Sequence, residues 1–175
     1  MISDTERKYI IWQNRAFRFY LAARLLYQND LYSPAAFCAL QAIETLLKAT
    51  LIYWDKSFVP EEAGHKIASM IRSIKNKVKN GKKFYCPEYF YKEKRFQSIT
   101  RYPTSRKGVL VPASFLRDLD KVFFDLITLV PFQFNSDLIH AISGKKNKDL
   151  RILRRNNLQI RKLRKYLNVK LEKKV

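Results

Sequence analysis

Apolar positions along this chain recur at three- and four-residue steps rather than at alternate ones, and the longest such run is Leu31 to Trp54, LYSPAAFCALQAIETLLKATLIYW. Phe37, Leu40, Ile43, Leu47, Leu51 and Trp54 fall on one stripe of a helix, while Ala35, Ala36, Ala39 and Ala42 are small enough to let a neighbouring helix approach closely. Ser33 is the expected N-cap, and Pro34 suits the first turn, where the N–H it lacks would have no partner. Gln41, Glu44 and Lys48 share another face. The Glu44 to Lys48 spacing predicts an i,i+4 ion pair worth about 0.2–0.5 kcal/mol on an exposed helix. This run is the expected central helix.

The same period predicts a first helix from about Asp4 to Asn29, with Tyr9, Trp12, Ala16, Tyr20, Ala23 and Tyr27 on its apolar face. Arg15, Arg18 and Arg24 fall off that face and read as a solvated surface. The short link Asp30-Leu31-Tyr32 makes the first two helices an antiparallel hairpin. After Trp54, Pro60 and Gly64 break the helical pattern. A third helix is expected from near His65, with Ile67, Met70, Ile71, Ile74 and Val78 buried and Gly81 at its left-handed C′ position. A fourth follows Val111, with Pro112 at its start, Pro131 at its end and Phe115, Leu119, Val122, Phe123, Leu126 and Val130 as its stripe. With four Gly, six Pro and no sustained strand alternation, the expected class is all-α, an up-and-down four-helix bundle. At 175 residues it is the size of one domain and can bury roughly two thirds of its unfolded surface.

Charge changes this picture. The chain holds 35 Lys or Arg against 15 Asp or Glu, a net of +20, and a field of that sign attracts polyanions, most often nucleic acid. From Gly144 to Val175 there are thirteen Lys or Arg against Asp149 and Glu172, a net of +11, leaving +9 for the remainder. Leu150, Leu153, Ile160, Leu163, Leu167 and Leu171 make that tail a basic amphipathic helix from about Lys148 to Leu171, weakened near Asn156-Asn157. The expected organisation is a bundle over residues 1–143 and a basic tail over 144–175. The tail has three readings, in this order: it docks its apolar stripe on the bundle and shows its cations to RNA, it binds a partner's groove, or it lies on an anionic membrane surface.

Candidate chemistry is sparse. Between Lys82 and Gly108, aromatic residues alternate with cations, a mixture that suits stacking on unpaired bases with phosphates held alongside. The bland alternative, aromatics packed onto the bundle, is the more common fate of such residues. The nucleic-acid contacts expected on charge and position are Arg95, Arg101, Tyr102, Arg106 and Lys107 in this stretch, with Arg151, Arg154, Arg155, Arg161, Arg164 and Lys165 in the tail. The catalytic candidates are His65 and His140. His65 has no His, Cys or acidic residue at ligand spacing, so packing or loop closure is its plainer reading. Cys38 and Cys86 are too few for a disulfide framework, and neither a metal site nor a cofactor is expected. MISDTERKYI is acidic where a signal peptide would be basic and then apolar, and no apolar run approaches the roughly 18 residues that cross a bilayer. A cytoplasmic protein with no membrane span is expected.

Several short sequences then fall in a recognisable order: Ala22-Ala23, Ala35-Ala36-Phe37, Gln41-Ala42-Ile43-Glu44 with Lys48, Gly64-His65, and Arg101-Tyr102-Pro103. Over about residues 10 to 130 the chain resembles the HEPN domain family. The resemblance implies a helical bundle, frequent homodimers, and association with RNA, nucleotides or a minimal nucleotidyltransferase partner in defence and toxin–antitoxin settings. Many members are metal-independent ribonucleases that use an Arg and a His roughly four to six residues apart, one group taking the 2′-OH proton and another stabilising the charged phosphate. This sequence departs from that pattern, because neither Phe58 to Glu61, before His65, nor Gln133 to Ser136, before His140, contains an Arg. The expectation is therefore a non-catalytic member that binds RNA or another nucleic acid or nucleotide through its strongly basic surface. The alternatives are a divergent ribonuclease and an interaction module for a nucleotidyltransferase-like protein.

Overall fold

The computed structural model describes residues 3–92, 111–130, 148–160, 162 and 165, and among these the chain is helix joined by turns and irregular loops, with no strand. Helix α1 spans Asp4–Tyr27 and α2 spans Tyr32–Trp54. Ser3 caps α1 with its hydroxyl on the Glu6 amide at 3.2 Å, while the Glu6 carboxylate accepts from the Ser3 amide at 2.9 Å. The chain leaves α1 through Asp30, which takes a left-handed φ of 61°. It re-enters helix two residues before the expected cap. Leu31, not Ser33, is the N-cap of α2, and no side chain serves there. Ser33 therefore sits inside the first turn, where its own amide is one of the unbonded N–H groups.

Rings tie the two helices at both ends of the hairpin, Tyr9 with Tyr53 at 5.7 Å and Tyr27 with Tyr32 at 5.2 Å. On the predicted α2 stripe Leu40, Ile43, Leu47 and Leu51 are buried. Phe37 is half-buried, and Trp54 lies at the rim with its indole N–H donating to the Leu129 carbonyl at 2.9 Å. An 18-residue window of α2 has mean hydropathy 1.5, long and apolar enough to cross a membrane by composition, contrary to the expectation that no run came near. Within the fold 83% of that window is buried, so its apolar surface is spent on the bundle's own core.

Helix α3, Ile67–Lys77, begins two residues after His65 and buries Ile67, Met70, Ile71 and Ile74, with Val78 following. The left-handed residue beyond it is Asn80, at φ 64°, rather than Gly81. Gly81 is fixed by space instead: a Cβ there would lie 2.1 Å from the Ile74 carbonyl oxygen. Short 3-10 turns at Gly81–Lys83 and Glu88–Phe90 carry the chain across the bundle. Phe84 and Phe90 are buried, Tyr89 and Tyr91 half-buried, and Tyr85 exposed. The described aromatics of this stretch thus pack on the bundle with one exception, while Phe96 and Tyr102 lie outside the described residues.

Helix α4, Phe115–Thr128, starts three residues after Pro112 and runs antiparallel to α1, since Phe115 meets Tyr27 at 5.5 Å and Phe123 stacks on Tyr20 at 4.1 Å. Its whole predicted stripe is buried. Helix α5, Lys148–Arg154, is the opening of the predicted tail helix and ends where the Asn pair was expected to weaken it, with Asn156 left-handed at φ 54°. Leu153 and Ile160 belong to the same core as the four main helices.

Candidate functional site

The side chain that organises the surface of this fold is one the sequence reads as solvated. Arg15 and Arg18 are exposed as expected, but Arg24 is 0% exposed. Its guanidinium pairs with Asp120 of α4, donates from Nε to the Ile152 carbonyl at 3.0 Å, and donates from Nη2 to the Arg155 carbonyl. The Ile152 carbonyl belongs to the last turn of α5 and the Arg155 carbonyl follows directly on its end, where carbonyls lack partners within the helix, so Arg24 serves as a C-cap delivered from another helix. Asp120 also accepts from the Tyr20 hydroxyl at 2.5 Å, and that hydroxyl in turn accepts from Asn157 Nδ2 at 3.0 Å. Burial, then the Asp120 carboxylate, pushes the Tyr20 hydroxyl well above its ordinary range, so it stays a donor at neutral pH. The tail contacts step from Gln28 and Arg24 down to Tyr20, and this segment runs antiparallel to α1.

Docked this way, the tail turns Leu153, Asn157 and Ile160 inward and leaves Arg151, Arg154 and Arg155 exposed, with Lys162 and Lys165 exposed beyond. Four of the predicted contacts, Arg151, Arg154, Arg155 and Lys165, are thus on the surface. Arg95, Arg101, Tyr102, Arg106, Lys107, Arg161, Arg164 and His140 lie outside the described residues.

A second cluster gathers around α2. Glu44 and Lys48 form the predicted i,i+4 pair at 3.1 Å, yet both are buried rather than exposed. The Lys48 ammonium lies 5.3 Å from the centre of the Trp12 ring, and the Arg15 guanidinium 6.0 Å from it. His65, expected to lack an acidic partner, has one from 21 residues earlier: its Nδ1 is 2.9 and 2.8 Å from the two Glu44 carboxylate oxygens. The carboxylate is 4% exposed and the imidazole 61% exposed. An ionised Glu44 carboxylate can only accept, so the neutral imidazole facing it carries its hydrogen on Nδ1 and has its lone pair on Nε2. A buried carboxylate that fixes the tautomer of an exposed imidazole is an arrangement able to move a proton. Sequence spacing missed it because the loop Asp55 to Lys66 folds back across α2.

The thiols take no part. Burial pushes Cys86 up to about 12, against a smaller opposing effect of Lys75, and burial also raises half-buried Cys38. At pH 8 the native Cys86 should alkylate on the order of a thousandfold more slowly than the same thiol in urea, in proportion to its thiolate fraction. Mass-resolved iodoacetamide labelling reads this directly, and rapid native labelling would contradict the burial.

Comparison with known proteins adds one finding. No curated protein and no solved structure matches the chain. The HEPN domain model matches residues 9–118, which take in α1 from Tyr9 onward, α2, α3, the two 3-10 turns and the first residues of α4, and stop short of the tail. HEPN domains are associated in general with RNA-related and with defence or toxin–antitoxin functions. A match over well more than half of the chain, on the helices that build the core and hold Glu44 against His65, means that this chain belongs to the HEPN domain family.

Proposed function

We propose that this HEPN-domain chain binds RNA through its basic surface without cleaving it, within a defence or toxin–antitoxin type complex. The observation that carries the reading is the exposed Arg151, Arg154 and Arg155 on a tail fixed to the bundle, in a chain of net charge +20. Arg95, Arg101, Tyr102, Arg106 and Lys107, together with Arg161, Arg164 and Lys165, complete the proposed surface. The same reading has the protein act in the cytoplasm as a homodimer, with a nucleotidyltransferase-like protein as a second partner.

A second reading, the divergent metal-independent ribonuclease, is favoured by the Glu44–His65 pair, in which Nε2 would take the 2′-OH proton. One experiment separates the two: the full chain is titrated against labelled single-stranded RNA across a salt series, and the RNA is followed for integrity. With six or more phosphates neutralised, at a log–log slope of roughly 0.7 per phosphate of a single strand, affinity should fall by about three-hundredfold or more between 50 and 200 mM salt, because each contact releases counterions. Absent or salt-insensitive binding overturns the proposal. Cleavage that is lost in His65→Ala moves the conclusion to the ribonuclease, and cleavage that survives His65→Ala removes that residue from the chemistry.

A further inference from the structure

The tail carries more than half of the chain's net charge, and a charged tail can bind a polyanion in either of two ways. A loose segment drapes on any phosphate it meets, whereas a docked one offers cations at fixed positions. The contacts around Arg24 decide between them. Arg24 caps the carbonyls of Ile152 and Arg155, Asn157 donates to Tyr20, and Leu153 and Ile160 are buried in the main core. On the outward side Arg151, Arg154 and Arg155 stand at i, i+3 and i+4, neighbours separated by about 5–6 Å between Cβ atoms. The Arg155 amide still bonds to the Arg151 carbonyl at 3.2 Å, so all three lie on one continuous helical turn. The helix is short, seven residues, and a helix of that length has little stability of its own. Its shape is held by the bundle.

Resting on the RNA-binding reading above, we propose that the docked segment Arg151 to Asn157 is a preformed phosphate-binding strip for the backbone of RNA. Arg24, Asp120 and Tyr20 act as its positioning residues. Three guanidinium groups on one turn meet neighbouring phosphates of one strand. Contacts of this kind fix position on the nucleic acid and carry no base sequence. Arg24 itself touches no RNA: it is fully buried, with Asp120 and the two carbonyls as partners, and its role is to keep the three exposed arginines in register.

The test separates docking from charge. Leu153→Ser and Asn157→Ala leave the net charge unchanged and remove contacts that hold the tail. The triple variant Arg151→Ala, Arg154→Ala, Arg155→Ala removes the strip itself. All are studied as the full chain, with limited trypsin cleavage after Arg151, Arg154 and Arg155 as the readout of docking and circular dichroism as the check on the bundle. Losing three phosphate contacts should flatten the log–log salt dependence of single-stranded RNA binding by about 2, at roughly 0.7 per phosphate. The triple variant should show that change. Whichever charge-neutral variant opens the tail to trypsin should show it too, with affinity falling in parallel. An opened tail that keeps the wild-type slope overturns the strip and leaves RNA binding by a loose tail standing. Neither variant opening the tail also overturns it, since docking would not then rest on these contacts. A wild-type chain that does not bind RNA overturns both this inference and the reading beneath it.

Discussion

Arg24→Ala should lower the unfolding free energy by about 3–5 kcal/mol, the range for removing one partner of a buried ion pair. The change leaves the Asp120 carboxylate buried without its counter-charge, strips the Arg155 carbonyl of its Arg24 donor and leaves the Ile152 carbonyl with only the 3.4 Å contact from Gln28. At this chain length each kcal/mol lowers Tm by roughly 2–4 °C, so the loss is easily read by calorimetry or urea unfolding. The pair itself is a poor source of net stability, and a paired replacement, Arg24→Met with Asp120→Leu, should recover much of the deficit in the bundle while leaving the tail carbonyls uncapped. The pH dependence carries the sign. Burial pushes the Asp120 carboxyl up and Arg24 opposes that push. Without Arg24 the raised carboxyl prefers its proton in the folded state. The penalty is then absent at pH below the ordinary aspartate value of about 3.9 and grows as pH rises above it. The deficit of Arg24→Ala should therefore shrink on acidification. A deficit under about 1 kcal/mol, the scale of a surface pair, would mean that Arg24 is solvated after all.

Leu47→Ala, in the middle of α2, should cost about 2–5 kcal/mol through lost transfer energy and the cavity left behind. Leu47 is fully buried, and α2 is the helix against which α1, α3 and α4 all pack, so relaxation to fill the space would have to move several elements at once. Leu25→Ala is the matched control: the same chemistry on the exposed face of α1, expected within about 0.5 kcal/mol. Equal effects at the two positions would reject the assignment of the α2 stripe to the core.

The helices and their inward faces were legible in the sequence because each follows from a local rule. The stripe of α3 and that of α4 are buried residue for residue, since a 3.6-residue period carried by Ile, Leu, Phe and Val has only one way to leave water. Element ends were less legible. Ser33 has the right chemistry for a cap but was displaced by the left-handed turn at Asp30, and Gly81 is small because the Ile74 carbonyl is adjacent, a clash between positions seven residues apart.

The sequence by itself determined the all-α class, the α1–α2 hairpin, the basic tail and its break at the Asn pair, all consequences of period, turn length and composition. Only the tertiary structure decided the fates of the charged residues. Arg24 sits at the edge of an amphipathic face, and nothing local distinguishes it from Arg15 or Arg18; it is buried because Asp120 and the end of the tail helix arrive there from 96 and 128 residues away. Glu44 is likewise an ordinary i,i+4 partner of Lys48 until a loop returns His65 to it. Apolar burial is written into the spacing of one helix at a time, whereas a buried charge needs a partner from elsewhere in the fold, and that partner is set by how the helices assemble.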